Sequence, residues 1–347
     1  MRHRVALSLL VASAAVSLAF IGLTLLASVP PAPQTPATLR WAYQAKGVAD
    51  WGAGLSLILA LAGAALAWKA RRRLAILVLL LAAIGTAAAA RGWIEWIFPP
   101  PRALGLDPVA KSDLDPADRV LAIRIGNEAR LYPVRYLAYH HLVNDTLGGE
   151  PILPSYCALC RTGIVWKRTV AGRVLRFRIG GVNNQNFLLE DEETGSWWQQ
   201  SSGECLLGPL KGHRLEWAGG EESTFGLWRD EAPDATVVRT ESRYRWFYPR
   251  SSWESLVAAV PPPRRSKALA ERELVAGLVH RGEAFAVPLR SLAAVSPLHV
   301  TVGGEPVVVS LARDGATVRA LAGEDRLPVQ VMFWFEWERL HPQSRLQ

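Results

Sequence analysis

Acidic residues are almost absent from the first 101 residues, which contain only Asp50 and Glu95 against nine lysines and arginines. This segment therefore carries +7 of the formal net charge of +8, and residues 102–347 carry only +1. A protein that binds nucleic acid over a wide surface needs a basic domain. The near-neutral charge of residues 102–347 excludes such a footprint, and we expect no nucleic-acid partner.

Charged residues are absent from three apolar runs near the N-terminus, at residues 5–28, 51–68 and 74–90. Each run approaches the length of about 20 residues that a helix needs to cross a bilayer. We predict a membrane domain over residues 1–98 with three transmembrane helices, at 5–28, 48–68 and 74–90. Residues 99–118, which begin with three prolines, are predicted to be a linker.

Basic residues suggest how the membrane domain is oriented. They precede the first apolar run and separate the second from the third, so the positive-inside rule places both clusters in the cytoplasm. We therefore expect a multi-pass protein of the cell (inner) membrane whose C-terminal domain, 119–347, is extracytoplasmic. Trp93, Trp96 and Phe98 would form an aromatic belt. The expected partners are the lipid bilayer and, as an open alternative, another membrane protein.

Two alternatives compete with this topology. The basic start and the first apolar run also resemble a signal peptide, although the run is long and no A-x-A cleavage site follows. The third run is the shortest and could lie in the membrane interface, which would reverse the topology.

Residues 119–158 and 274–313 align without gaps at a constant offset of 155. The identical residues include Val120/Val275, Glu128/Glu283, Pro133/Pro288, Arg135/Arg290 and the Gly-Gly-Glu-Pro runs that begin at Gly148 and Gly303. Two copies are too few for a solenoid, so we predict a pseudo-symmetric pair of modules, with copy one at 119–233 and a shorter copy two at 274–342.

Short β-branched or alternating runs separated by glycine, proline and asparagine are typical of strands. Residues 225–231 and 251–260 are predicted to form short helices. The expected fold class is α+β: a mainly antiparallel β soluble domain with an internal duplication, preceded by three transmembrane α-helices.

Cysteine is scarce, with three residues in the chain, of which Cys157 and Cys160 form a C-x-x-C motif. The motif is not a c-type haem site, because Arg161 rather than histidine follows it. The pair could chelate a soft metal, cycle as a dithiol or form a disulfide. Cys205 is left over from any such pair. It is either buried, metal-bound or reactive.

Reactive side chains are missing from copy two, which localises the chemistry to copy one. The residues that copy two lacks are His140, His141, Asn144, Asp145, Cys157 and Cys160. The H-x-x-N-D sequence at His141 could provide a general base or a supported metal ligand. Asn144 and Asp145 also precede two glycines, so a turn is an equal alternative.

Neutral polar and aromatic residues mark a second candidate region. Residues 183–186 and 194–200 could line a pocket for a polar organic ligand or could cap turns. If the tryptophan pair is on a strand, one of Trp197 and Trp198 should face inward and the other outward. The candidate pocket residues are Asn144, Asp145, Asn186, Trp198, Gln199 and Glu204.

Residues 161–178 contain six basic residues and no acidic one. Positive charge of this kind could lower the pKa of a nearby thiol. It could also bind an anionic substrate, or form a solvated strand face.

The ordered motifs from His141 through Cys157-Ala158-Leu159-Cys160 to residues 208–212 resemble the bacterial domain-of-unknown-function family numbered 3179. The resemblance covers most of residues 119–342 and implies no particular activity. The family pattern commonly has proline at the position of Ala158, which here loses a residue that would stiffen the turn. It often has a small residue at Cys205, which weakens a metal site that requires this thiol.

The leading hypothesis from the sequence is a membrane-anchored domain that binds copper or zinc through Cys157, Cys160 and His141, with Cys205 as an accessory ligand. A second hypothesis is a thiol–disulfide oxidoreductase in which Cys157, Cys160 and His141 are the catalytic residues. A third is a non-catalytic ligand-binding module with a structural disulfide. Whether the protein is an enzyme stays open.

Overall fold

The computed structural model describes residues 2–28, 34–89, 94–101, 103–262, 266 and 268–347. Trp93, from the expected aromatic belt, and residue 90, the end of the third expected span, lie outside these residues. The chain divides into two compact units. One contains Met1–Ile97 and Gly180–Asn184, and the other contains Phe98–Ile179 and Gln185–Gln347.

The N-terminal unit is helical. Its helices are α1 Arg2–Ser28, α2 Pro36–Gly47, α3 Ala49–Ala89 and α4 Ile94–Ile97. Small side chains let α1 approach α3 closely, since a Cβ added at Gly63 would lie 2.9 Å from Leu10. Ser17 Oγ hydrogen-bonds Ser56 Oγ at 2.6 Å across the same contact.

The expectation of three separate transmembrane helices is wrong. The second and third apolar runs both lie in α3, which consists of two helical segments joined at a kink where Arg71 leaves helical geometry (φ −142°). The basic residues between the runs lie at this kink and do not form a loop, because lysine and arginine are good helix formers. In the described part of the chain, one segment, Trp51–Ala87, is long and apolar enough to cross a membrane. The apolar helix Arg4–Ala19 is shorter.

The C-terminal unit consists of short strands and helices. In chain order the strands are β1 Leu106–Pro108, β2 Arg119–Ile125, β3 Glu128–Pro133, β4 Asp145–Leu147, β5 Glu150–Cys157, β6 Thr162–Lys167, β7 Thr169–Val170, β8 Arg173–Val174, β9 Phe177–Asn183, β10 Asn186–Asp191, β11 Trp197–Gln199, β12 Cys205–Leu207, β13 Glu221–Thr224, β14 Thr236–Val238, β15 Leu274–His280, β16 Glu283–Pro288, β17 Leu298–Val302, β18 Glu305–Leu311, β19 Val318–Ala322, β20 Asp325–Leu327, β21 Gln330–Phe333 and β22 Arg345–Leu346. The helices are α5 Val134–His140, α6 Phe225–Glu231, α7 Arg250–Ala259, α8 Leu289–Val295 and α9 Trp334–Leu340.

These strands form several small sheets. Their orders are β1-β14-β3-β2-β13, β12-β11-β10-β9, β21-β15-β16-β22, β17-β18-β19-β20, β4-β5-β6 and β7-β8. The pairs β14–β3 and β16–β22 are parallel, and the neighbouring hairpins are antiparallel. The fold is therefore mixed α/β with small, mainly antiparallel sheets.

The expected pseudo-symmetric pair of modules is also wrong. Copy one contributes strands to a five-stranded, a four-stranded, a three-stranded and a two-stranded sheet, whereas copy two contributes strands to two four-stranded sheets. The two copies share the positive φ angles of the Gly148-Gly149 and Gly303-Gly304 turns, and the strand orders β14-β3-β2-β13 and β22-β16-β15-β21 correspond. The sheets nevertheless differ in number and size, because strands β7 to β12 of copy one form sheets that include no strand of copy two.

Two local predictions are confirmed. Helix α6 occupies the predicted residues 225–231, and α7 begins one residue before the predicted 251–260. The segment predicted as a linker contains β1, which pairs with β14 and so joins the five-stranded sheet. The core beside this sheet is aromatic, with Tyr132, Tyr136 and Tyr156 fully buried.

Candidate functional site

The C-x-x-C motif lies at the turn of the β5–β6 hairpin. Cys157 is the last residue of β5 and pairs in register with Thr162, the first residue of β6. Arg161 takes φ 60°, which closes the turn at the cost of a backbone conformation that non-glycine residues rarely adopt. Both cysteines are free thiols, and their exposed fractions are 2% for Cys157 and 0% for Cys160.

Hydrogen bonds distinguish the two sulfur atoms. Cys160 Sγ accepts hydrogen bonds from Asn186 Nδ2 at 3.0 Å and from Thr162 Oγ1 at 3.4 Å. Cys157 Sγ lies 3.4 Å from the carbonyl oxygen of Gln185, to which only the protonated thiol can donate. Hydrogen-bond donors therefore point at Cys160 Sγ, whereas an acceptor lies beside Cys157 Sγ.

The pKa values of the two thiols are displaced in opposite directions. Burial alone would raise the pKa of Cys157, but hydrogen bonds from the Cys160 thiol and from the backbone amides of Cys160 and Phe187 lower it. Burial and the neighbouring Cys157 thiol raise the pKa of Cys160 well above its usual value. Cys157 is therefore the thiol that ionises first.

A buried polar network surrounds Cys160. Asn186 Nδ2 also donates to Gln200 Oε1 at 2.8 Å, and Asn186 Oδ1 accepts from Gln199 Nε2 at 2.6 Å. Ser201 N donates to the same oxygen at 3.1 Å. Because its amide group is held from both ends, Asn186 keeps its donor aimed at the sulfur.

The network continues to an ion pair that sequence reasoning missed. Ser201 Oγ donates to Glu336 Oε1 at 2.6 Å, and Arg339 Nη2 donates to the same oxygen at 2.7 Å. Glu336 is completely buried. Burial alone would lower the pKa of Arg339, but Glu336 and the two thiols raise it. The sequence does contain a signal for this pair. Glu336 lies in the otherwise apolar run of residues 331–337, and an acidic residue that is buried in such a run normally has a partner.

His141 lies at the end of α5 in a strained turn. Its φ is 66° and its ψ is −39°, and the amide of Leu142 donates to the carbonyl of His140, which is a γ-turn. Its Nδ1–H donates to the Tyr139 carbonyl at 3.0 Å, so the lone pair resides on Nε2. Burial lowers the pKa of His141 to about 4.

The imidazole of His141 packs on aromatic rings rather than on the thiols. Its centroid is 4.7 Å from that of Phe98 and 5.3 Å from that of Phe187. Phe187 is therefore the link between the two predicted parts of the site, because its ring contacts His141 and its amide donates to Cys157. Among the described residues, no hydrogen bond joins His141 to either cysteine.

His140 has a structural environment. Its Nδ1 donates to the Pro99 carbonyl at 2.5 Å, and its Nε2 accepts from Tyr248 Oη at 3.0 Å. Burial lowers its pKa. Its ring lies 4.3 Å from that of Tyr136, within the aromatic core.

Most of the residues predicted to line a ligand pocket are hydrogen-bonded within the fold. Asn144 exchanges two hydrogen bonds with the backbone of Phe177. Asp145 accepts from Arg130 Nη1 and from Tyr132 Oη, each at 2.6 Å. Asn186 and Gln199 bond each other, and Glu204 is exposed. The pocket therefore stays a prediction.

The expectation that Trp197 and Trp198 face opposite environments is wrong, because both are buried. Each indole donates to a carboxylate on the preceding strand β10: Trp197 Nε1 to Glu190 Oε2 at 3.1 Å, and Trp198 Nε1 to Asp191 Oδ2 at 2.8 Å. A strand can bury both faces when another layer covers its second side and satisfies the polar atoms.

Five of the six basic residues of 161–178 are engaged with acceptors. Arg161 pairs with Glu222 at 3.2 Å, Arg178 with Glu190 at 2.5 Å and Lys167 with Glu216 at 3.1 Å. Arg168 donates to backbone carbonyls, including that of Ile152. The cation whose pKa the two thiols raise is Arg339, which lies outside this segment.

Cys205 lies apart from the C-x-x-C pair. Its Sγ is 3.5 Å from the Leu207 carbonyl oxygen. Burial raises the pKa of the Cys205 thiol to about 12, so this thiol stays protonated at neutral pH. In the part of the chain that the structure describes, no three His, Cys, Asp or Glu side chains are grouped as a metal site would require. The copper or zinc site stays a prediction.

Comparison with known proteins decides the family. Residues 105–325 match the family model described as protein of unknown function (DUF3179). The chain belongs to this family. The resemblance noted for the DUF3179 motifs is thereby confirmed, and both cysteines and His141 lie inside the matched region. Glu336 and Arg339 lie beyond it. No curated protein and no solved structure matches this DUF3179 chain.

Proposed function

We propose that the extramembrane DUF3179 domain performs thiol–disulfide exchange through Cys157 and Cys160. The observation that supports this function is the asymmetry of the pair: the pKa of Cys157 is lowered and that of Cys160 is raised. An exchange reaction needs one thiol that ionises readily and a second that waits to resolve the intermediate.

The exchange proceeds in two steps with a disulfide as the co-reactant. Cys157 thiolate attacks one sulfur of that disulfide, forms a mixed disulfide and releases the other sulfur as a thiolate, which takes a proton from solvent. Cys160 then loses its proton and attacks Cys157 Sγ, which releases the second sulfur as a thiol. The cysteine pair loses two electrons and two protons, and the co-reactant gains both.

The hydrogen bonds around Cys160 suit the second step. Asn186 Nδ2 and Thr162 Oγ1 both point at Cys160 Sγ and would stabilise its thiolate. Both sulfurs are buried in the structure, so the co-reactant reaches Cys157 only after a local movement, and we propose that Gln185, whose carbonyl contacts Cys157 Sγ, takes part in it. Gln185 already has a strained φ of 70°, which lowers the cost of leaving this conformation.

We expect the full chain in detergent micelles to lose two of its three thiols reversibly when it is equilibrated in glutathione buffers of increasing potential. Cys157→Ser and Cys160→Ser should each abolish the reversible change. Cys205→Ser is the matched control and should leave the midpoint potential unchanged. In the reduced protein, alkylation should modify Cys157 faster than Cys160.

Two results would contradict the proposal. One is a cysteine pair that stays fully reduced, or fully oxidised, over the whole range of glutathione buffers. The other is stoichiometric copper or zinc in the purified chain that is lost in Cys157→Ser, which would favour the metal-binding alternative.

We further propose that this domain is extracytoplasmic. Four basic residues, Arg2, Arg4, Arg40 and Lys46, precede the candidate span Trp51–Ala87, whereas only Arg91 and Arg102 follow it closely. The positive-inside rule then retains the N-terminal flank in the cytoplasm. Protease added to intact spheroplasts should digest the C-terminal domain, and protection of that domain until lysis would reverse the assignment.

A further inference from the structure

A basic cavity of about 500 Å³ lies at the N-terminal end of α7, outside the dithiol site. Its volume is in the range that binds small organic ligands. Five arginines line it: Arg119, Arg135, Arg161, Arg245 and Arg250. Asp118 is the acidic residue among its lining residues.

Carboxylates offset only part of this positive charge. Glu222 Oε1 is shared by Arg119 and Arg161, each at 3.2 Å. Asp118 lies 3.5 Å from Arg135, and Glu254 lies 2.5 Å from Arg250. Five guanidinium groups are thus opposed by three carboxylates.

Arg245 has no carboxylate partner in the part of the chain that the structure describes. It is exposed, and its guanidinium lies 4.9 Å above the ring of Trp246. The cavity therefore has a net positive charge and includes an arginine whose donors are available to a ligand.

Two N–H groups of residues that line the cavity, Arg135 Nε and Trp253 Nε1, have no acceptor among the described residues. Both atoms are buried, and buried donors are normally satisfied. An oxygen atom that enters from the cavity would supply the missing acceptor after a small movement of these side chains. Both residues line the same cavity.

The N-terminus of α7 adds a third attraction for negative charge. Pro249 precedes the helix without a side-chain cap, and the first turn contains no acidic residue. Pro249 and Trp253 line the cavity, so the positive end of the helix dipole lies beside the arginines.

From these three features we infer that the cavity binds a phosphate group. Several arginines and an uncapped helix N-terminus favour an oxyanion that carries more than one charge. The apolar walls, which include Val134 and Trp253, would hold the organic part of a phosphate ester. The source could be a soluble phosphate ester or a lipid headgroup, because both present the same chemistry.

Calorimetric titration of the full chain in detergent micelles distinguishes these sources. The three probes are inorganic phosphate, phenyl phosphate and dihexanoyl phosphatidic acid. We expect phenyl phosphate to bind more tightly than inorganic phosphate, since its ring gains contacts with the apolar walls. Tighter binding of the phosphatidic acid than of phenyl phosphate would assign the site to a lipid headgroup, and the reverse order would assign it to a soluble ester.

The key variant is Arg245→Gln, which should not disturb folding because Arg245 is exposed and makes no ion pair among the described residues. It should weaken phosphate binding about tenfold, as expected for the loss of one charge-assisted hydrogen bond. Arg135→Gln should do the same. Arg290→Gln is the matched control, since Arg290 occupies the second position of α8 as Arg135 does of α5, and it pairs with Glu273 away from the cavity.

The inference is overturned if none of the probes binds more tightly than about 10 mM. It is also overturned if Arg245→Gln and Arg135→Gln both bind as the wild type does. Equal weakening by Arg290→Gln would attribute the binding to overall charge and would contradict a defined site. The phosphate site is independent of the dithiol, so Cys157→Ser should bind each probe unchanged.

Discussion

Replacing Asp145 by alanine is expected to lower the free energy of unfolding by about 3–5 kcal/mol, the cost of breaking a buried ion pair. Asp145 Oδ2 accepts from Arg130 Nη1 and Tyr132 Oη, and the side chains of Asp145 and Arg130 are 12% and 11% exposed. Without the carboxylate, a buried guanidinium would lack its counter-ion. Chemical denaturation of the full chain in detergent micelles, followed by near-ultraviolet circular dichroism, measures the loss.

Asp234→Ala is the control for this experiment. Asp234 pairs with Arg124 at 3.0 Å, but its side chain is 57% exposed, so its loss should lower the free energy of unfolding far less than the loss of Asp145 does. The double variant Arg130→Met/Asp145→Ala should recover part of the stability, because it removes the unpaired charge as well. If Asp145→Ala lowers the free energy of unfolding no more than Asp234→Ala does, the Arg130–Asp145 ion pair does not stabilise the fold. That result would favour the predicted role of Asp145 in ligand binding.

The second large expected effect is a loss of stability on acidification. The pKa of His141 is lowered to about 4 by burial, whereas an unfolded histidine titrates near 6.5. Between these values the unfolded chain binds a proton that the native chain does not. The free energy of unfolding should therefore fall by about 3 kcal/mol as the pH decreases from 6.5 to about 4. Denaturation midpoints measured across this range check the prediction.

His141→Asn should flatten the dependence on pH, since asparagine does not titrate in this range and tolerates the positive φ of this position. His140 also has a lowered pKa, so some slope should remain. His299→Asn, at an exposed position, is the control and should leave the slope unchanged. A slope that His141→Asn does not reduce would mean that other groups carry the acid sensitivity.

Local patterns in the sequence predicted local structure well. Turn and strand signals placed the C-x-x-C motif after an extended segment, and the structure has it at the end of β5. The helix at residues 225–231 was predicted at its observed bounds. These features depend on residues close together in the chain, so a single sequence contains the information.

Features that depend on neighbours distant in the chain were not predictable. The alignment at offset 155 implied two equivalent modules, but residues 177–207 of copy one form a four-stranded sheet, β12-β11-β10-β9, that includes no strand of copy two. The basic residues between two apolar runs implied a loop, but the structure has a kink at Arg71 within α3. Both tryptophans of the 197–198 pair are buried because carboxylates of β10 satisfy their indoles.

The sequence by itself determined which family the chain belongs to, which residues are thiols and where the charge resides, because motifs and composition are linear properties. Only the tertiary structure decided what surrounds those thiols. Asn186 approaches Cys160 across 26 residues of chain, and Glu336 reaches the same network through Ser201 across 135. Hydrogen bonding and desolvation act through space, so the difference in pKa between Cys157 and Cys160 exists only once these distant groups are brought together.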